Sequence, residues 1–117
     1  MILGIGVDVV DVARFERQVS ETPALIERLF VPSERVESTA SLAGRFAAKE
    51  ALIKAMGGPC GSWHDVWVER QDSGQPLLRF SGAVLDGLQA RGLTSSHLSL
   101  SHDGGIATAF VVLEAQR

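Results

Sequence analysis

Gly44-Arg45-Phe46-Ala47-Ala48-Lys49-Glu50-Ala51-Leu52-Ile53-Lys54 is the stretch around which this chain is organised. Alanine, leucine, lysine and glutamate are good helix formers, and no proline interrupts between Ser38 and Gly58. A helix is predicted, capped by Ser38, Thr39 or Ser41 and stopped by Gly57-Gly58-Pro59. At about 100° per residue, Leu42, Phe46 and Ile53 form one bulky stripe. Ala43, Ala47, Ala48, Ala51 and Ala55 form a broad face of small residues that other backbone can approach closely. No side is purely polar, so most of the circumference should be covered. Glu50 and Lys54 lie four apart between the stripe and the alanines. Their simplest role is an ion pair along the helix, worth roughly 0.2–0.5 kcal/mol. Charges on a covered helix otherwise need another partner or a ligand.

Upstream, Ile2 to Val10 is rich in β-branched residues and contains Gly4 and Gly6. It reads as a buried strand whose glycines permit close backbone approach. Asp8 sits inside that apolar run, between Val7 and Val9. A carboxylate there is costly unless something pairs with it. Asp11 is the natural cap of a first helix, because Val12, Phe15 and Val19 follow at helical spacing. Asp8 is left with no structural role of its own. Arg14 and Arg17 lie three apart on the other face of that helix, a solvated face with Asp11 or Glu21 as ordinary partners. Thr22-Pro23 reads as a cap and first residue of a short second helix. Pro32-Ser33-Glu34 opens a further turn or short helix.

Downstream, Gly57 to Ser62 is a glycine-rich loop that matches no phosphate-binding fingerprint. Val66 to Arg70 and Leu78 to Phe80 flank Asp72-Ser73-Gly74-Gln75-Pro76, a hairpin signature. Ser81 to Arg91 reads as a helix with Val84, Leu85 and Leu88 inward and Gly92 beyond its end. His97 to His102 alternates, Asp103-Gly104-Gly105 turns, and Ile106 to Glu114 is a last strand, with His102 at the mouth of that hairpin. Strands and helices alternate irregularly, so the class is α+β. At this length, residues 1–117 are expected to form a single domain.

Composition narrows the function classes. The formal charge is −3, which offers nothing to non-specific nucleic-acid binding. One cysteine, Cys60, excludes an internal disulfide and a CxxC metal site. The N-terminus has no basic region, Asp8 breaks its apolar run, and no stretch is long enough to span a membrane; a cytoplasmic protein is expected. Apolar content of 45% is high for so short a chain, which points to surface buried against other copies.

Asp8, Glu50 and Lys54 are the residues whose placement carries chemistry. Two carboxylates are too few for an all-protein metal cage but suit Mg²⁺, which keeps waters and takes other oxygens from substrate phosphates. A lysine beside them suits charge developing on a phosphate leaving group. Metal-assisted chemistry on a pyrophosphate is the expectation from the residues alone.

Three segments then resemble a known family: Gly4-Ile5-Gly6-Val7-Asp8-Val9-Val10, Gly44 to Ala51 with Lys54, and Leu98-Ser99-Leu100-Ser101-His102. In order and at this length they are similar to the holo-(acyl-carrier-protein) synthases, short 4′-phosphopantetheinyl transferases. The resemblance implies a small antiparallel sheet packed against a long central helix. It implies transfer of phosphopantetheine from coenzyme A to a serine of an apo acyl carrier protein, releasing adenosine 3′,5′-bisphosphate, in fatty acid or polyketide synthesis. Asp8 and Glu50 would bind Mg²⁺, with Lys54 at the departing bisphosphate. Arg45 and His102 would be candidates for the coenzyme A phosphates, alongside Lys54. Arg14, with Arg17, would meet the acidic carrier, and a homotrimer would place its sites between neighbouring subunits. The base that takes the serine proton stays open among Glu50, a metal-bound water and the substrate's own phosphate.

Two features depart from that pattern. Pro59 and Cys60 in the glycine-rich loop are unexpected on the adenine side. The acidic overall charge requires a local basic patch drawn from Arg14, Arg17, Arg28 and Arg35. Other classes remain as contrasts: a non-catalytic module binding coenzyme A or a carrier, and a thiol-dependent hydrolase using Cys60 with His64 or His102. Nothing near Cys60 in sequence activates its thiol.

Overall fold

The computed structural model describes residues 1–116. The organising stretch forms α3, Thr39–Met56, the longest helix of the chain. Ser38 caps it by accepting from the Ser41 amide at 3.2 Å, and Gly57 ends it in the left-handed conformation at φ 86°. Before it come β1 (Ile2–Asp11), α1 (Val12–Glu21) and α2 (Ala24–Leu29). After it come a 3-10 turn (Trp63–Asp65), β2 (Val66–Arg70), β3 (Pro76–Phe80), α4 (Gly82–Ala90), β4 (Leu93–Asp103) and β5 (Ile106–Ala115). The mixed class and the antiparallel pairing agree with the reading of the sequence.

The strands form two sheets. β5 lies between β1 and β4 in an antiparallel sheet, and β2 pairs with β3 as a separate hairpin. One face of the larger sheet packs on α3, with Ala107, Ala109, Val111 and Leu113 buried against Ala43, Ala47, Ala51 and Leu52. Glycine makes this approach possible. A Cβ on Gly4 would fall 1.8 Å from the Ala55 carbonyl oxygen, and one on Gly6 would fall 1.7 Å from that of Ala51. Strand backbone therefore lies directly on the alanine face of the helix.

Two expectations are corrected. β1 is an edge strand with only one face covered; Ile5, Val7 and Val9 on the other face are each about half exposed, as is Phe110 beside them on β5. A β-branched run looks the same in sequence whether one face or both are buried, because the glycines blur the alternation. α2 starts at Ala24 rather than at Pro23, and Thr22 instead terminates α1. Asp11 does cap α1, accepting from the Arg14 amide at 2.9 Å.

Candidate metal and phosphate site

Strand pleat and helix pitch together decide where Asp8 goes. Gly4, Gly6, Asp8 and Val10 share the inner face of β1. Moving from Gly4 to Gly6 shifts the helix contact from Ala55 back to Ala51, one helical turn. The next inward residue, Asp8, therefore reaches α3 in the turn that carries Glu50. Asp8 and Glu50 line one open cleft of about 450 Å³ with Arg14, Gln18 and Phe46.

Lys54 completes the group, though not as a helix pair with Glu50. Its Nζ is 3.1 Å from Asp8 Oδ1 and donates to the Val7 carbonyl at 3.0 Å. The close seating of β1 offers it a nearer carboxylate and a carbonyl, so Asp8 acquires the partner that its sequence neighbours withheld. Thr108 Oγ1 donates to the Asp8 carbonyl at 2.9 Å and steadies the strand there. Asp8 is largely covered, while Lys54 is exposed over about half its surface (17% against 55% for the side chains). The Glu50 carboxyl is raised above its ordinary value, first by burial and then by the charge of Asp8, with Lys54 opposing.

That electrostatic imbalance bears on a divalent cation. Two carboxylates share a cleft and repel, and Lys54 bonds only one of them. Among the described residues no group of three or more His, Cys, Asp or Glu side chains converges on one point. Hard oxygen donors, two in number and unsatisfied as a pair, fit Mg²⁺ with its remaining positions left to water and substrate.

Arg45 and His102 lie together elsewhere. With Ser41 and Arg70 they line a second cleft of about 210 Å³, next to β3. His102 is exposed, packs over Gly44, and its Nε2 lies 3.2 Å from the Ala40 carbonyl. Arg45 is not a free side chain. It is buried, donating to the Val68 carbonyl at 2.6 Å and to Glu37 at 3.0 Å. Behind it stands an ion pair absent from the expectations: Lys49 Nζ, 2.8 Å from Glu34 Oε1, with neither side chain exposed. Lys49 also donates to the Leu29 and Trp63 carbonyls, and Glu34 accepts from the Val31 and Val68 amides. Burial pulls the Lys49 ammonium below the ordinary lysine range, and Glu34 works against that. One signal was available: Lys49 follows Arg45 by four residues, so two cations share a face of a helix with no solvated side.

Of the basic residues proposed for a patch, Arg14 is exposed on the rim of the carboxylate cleft. Arg17 is exposed further along α1, and Arg28 borders a neighbouring cleft that also reaches Glu50. Neither Arg14 nor Arg17 is ion-paired with Asp11 or Glu21 among the described residues. Arg35 leaves the patch, because it caps the end of α2 through the Phe30 and Glu27 carbonyls. Cys60 lies 3.5 Å from the Ala83 carbonyl and has no imidazole against it: His64 is held at the Glu27 carbonyl and His102 at that of Ala40. A thiol nucleophile is not assembled. Unforeseen too was an apolar groove beside the carboxylate cleft, where Phe46 stacks obliquely with Phe15 and Trp63 at 5.7 Å each.

The model of the 4′-phosphopantetheinyl transferase superfamily matches residues 4–111. This chain belongs to that superfamily. A holo-[acyl-carrier-protein] synthase from Clavibacter michiganensis is 61% identical over 115 residues, covering 97% of each chain. The fold matches the holo-[acyl-carrier-protein] synthase of Neisseria meningitidis with a TM-score of 0.89 at 33% identity, over 97% of this chain and 99% of that one. The Helicobacter pylori synthase, solved in complex with coenzyme A, gives 0.84 at 34% identity over 94% and 99%. Among curated members, then, the similarity runs to the short synthases and covers the chain nearly end to end. The family reading drawn from the three sequence segments agrees with these matches.

Proposed function

We propose that this chain, acting as one domain over residues 1–117, moves 4′-phosphopantetheine from coenzyme A to a serine hydroxyl of an apo acyl carrier protein, in the cleft between β1 and α3. The observation that carries the reading is the meeting of Asp8, Glu50 and Lys54 there, brought from positions 42 and 46 residues apart. In the reaction the serine oxygen forms a bond to the phosphorus attached to pantetheine. The bond from that phosphorus to the oxygen of adenosine 3′,5′-bisphosphate breaks, and the serine proton leaves. Asp8 and Glu50 would hold Mg²⁺, which when bound neutralises charge on the pyrophosphate. Asp8 also holds the Lys54 ammonium at the cleft, where it meets the negative charge that grows on the departing bisphosphate. Its exposure leaves it free to exchange Asp8 for that phosphate. Glu50, with its raised carboxyl, is one candidate to receive the serine proton.

Around this centre, Arg14 and Arg17 on α1 form the docking face for an acidic carrier, and Arg45 with His102 takes a phosphate of coenzyme A. Those two clefts lie on different sides of α3. One extended substrate reaches both most simply when neighbouring copies meet, and the uncovered apolar face of Ile5, Val7, Val9 and Phe110 supports a homotrimer with sites between subunits. A cytoplasmic setting, and service to fatty acid or polyketide carriers, belong to the same reading.

The test is mass spectrometry of apo carrier proteins incubated with the chain, coenzyme A and Mg²⁺. One added phosphopantetheine, abolished by chelator, is the expected result. Carriers left unmodified across a panel of fatty-acid and polyketide types, with folded enzyme, would sink the reading. Light scattering tests the trimer; an active monomer at assay concentration would remove the shared site.

A further inference from the structure

Glu34, Glu37 and Lys49 have no part in the reaction just described, yet they form one row of charges with Arg45. Lys49 Nζ lies 2.8 Å from Glu34 Oε1, Glu34 Oε2 lies 3.8 Å from Arg45 Nη1, and Arg45 Nη2 lies 3.0 Å from Glu37 Oε1. The signs alternate along the row. Exposure rises along it as well: nothing for the Glu34 and Lys49 side chains, 5% for Arg45 and 32% for Glu37. The row therefore runs from the core outward, with Glu37 at its open end.

Arg45 is the one member that lines a cleft, beside Ser41, Arg70 and His102. A guanidinium grips an oxyanion well only if its plane is fixed, since its value lies in a preorganised fork of donors. Nη1 is tied to the Val68 carbonyl and Nη2 to Glu37, so two bonds from different segments set that plane. Glu34 supplies the deeper counter-charge and is locked by two amides and Lys49. Glu37 lies on the connection between α2 and α3, outside the lining of the cleft. An anion entering there meets Arg45 with the Glu37 carboxylate off to its side. Because Glu37 is a third exposed, solvent screens its repulsion of that anion, and its tether on Arg45 is the larger effect.

We propose that Glu37 is a positioning residue, which holds the Arg45 guanidinium in the orientation that receives a phosphate of the nucleotide substrate. This rests on the reading of Arg45 given above. Glu37 touches no reacting atom, so its loss should appear in nucleotide binding alone.

The experiment measures calorimetric binding of adenosine 3′,5′-bisphosphate, with steady-state KM for coenzyme A and for the carrier, in Glu37→Ala, Glu37→Gln and Arg45→Lys. Glu37 is on an exposed connection, and Arg45→Lys keeps a cation facing Glu34, so all three should fold. Glu37→Ala should weaken nucleotide binding and raise the coenzyme A KM about fivefold, the worth of one such hydrogen bond. Its kcat and carrier KM should stay put, and Glu37→Gln should recover part of the loss. In an Arg45→Lys background, Glu37→Ala should cost nothing further. Binding that is unchanged or tighter in Glu37→Ala, while Arg45→Lys weakens it, overturns the positioning role and leaves Arg45 in place. If Arg45→Lys also binds as wild type does, the reading of Arg45 has failed and the inference falls with it.

Discussion

Lys49 and Glu50 are neighbours on α3 whose side chains are treated in opposite ways. Lys49 is fully enclosed, and Glu34, two carbonyls and the Phe30 ring surround its ammonium. Glu50 stands at an open cleft, facing a second carboxylate, with its ionised form disfavoured. Both are charges on a helix that is covered almost all round. What separates them is completeness: every donor of the buried pair has an acceptor inside the fold, whereas at the carboxylate cleft Lys54 bonds only Asp8 and, among the described residues, no ion pair holds Glu50. A completed polar cluster specifies structure, and an unbalanced one is where a ligand adds free energy.

Breaking the buried side should produce the largest effect. Lys49→Met takes from the enclosed Glu34 its nearer cation, leaving only Arg45 at 3.8 Å, and should lower stability by about 3 kcal/mol, read from urea unfolding. Replacing both, as Glu34→Gln with Lys49→Met, should recover most of that loss. The kcat per folded molecule should survive the double change, because neither residue lines the carboxylate cleft. If the single variant unfolds like wild type, the pair is not holding α2, β2 and the 3-10 turn onto α3.

The open side should behave in reverse. Asp8→Ala and Glu50→Ala should each cut turnover by about 10²–10³-fold, with no loss of thermal stability in the absence of metal. Lys54→Ala should lose kcat while keeping Mg²⁺-dependent coenzyme A binding, because its charge matters most as the leaving phosphate develops its own. Calorimetry with and without Mg²⁺, beside steady-state rates, separates the three variants. Near wild-type turnover in all of them would return the cleft to a structural role.

A smaller effect belongs to the rim. Arg14→Glu should raise the carrier KM several-fold and leave coenzyme A binding alone, and salt should weaken docking in the wild type. Unchanged carrier kinetics would make Arg14 an ordinary solvated residue.

The two sides of α3 also differ in how far the sequence revealed them. Helix α3 was legible because its composition, cap and glycine stop all agree, and the sheet contact was legible because Gly4 and Gly6 admit only backbone opposite them. Asp8 and Glu50 stood out because each sits among apolar or small neighbours. What they bond was hidden: Lys54 turning to Asp8 depends on the seating of β1, a contact across 46 residues. Glu34 gave no signal at all, since Pro32-Ser33-Glu34 reads as a polar turn and only the packing of β2 over it encloses the carboxylate. Arg45 was singled out through its motif, but the motif says nothing of the carboxylates that hold it.

The finest test of the contrast is proton linkage at Glu50. Its carboxyl is raised in the folded chain, by burial and by Asp8, so the native state binds more protons than the unfolded state across a window that opens at the ordinary glutamate value. Stability then falls as pH rises through that window, because the slope of unfolding free energy with pH takes the sign of protons bound unfolded minus protons bound native. Below the window the side chain is protonated in both states and costs nothing; above it the cost is fully present. Glu50→Gln lacks the titration. Without metal its Tm should therefore match wild type at the acid end and exceed it by a degree or two near neutrality, in keeping with a small gain from relieving local repulsion. Asp8→Asn should shrink that difference by removing the second cause of the shift, but it also strips Lys54 of a partner, so the comparison belongs on Asp8→Asn against the double variant. Mg²⁺ with coenzyme A should reverse the order and favour wild type, since a cation at the cleft rewards the charge that the empty cleft penalises. Parallel Tm-against-pH curves for wild type and Glu50→Gln would mean that Glu50 is as well balanced as Lys49, and that the two sides of the helix do not differ in the way argued.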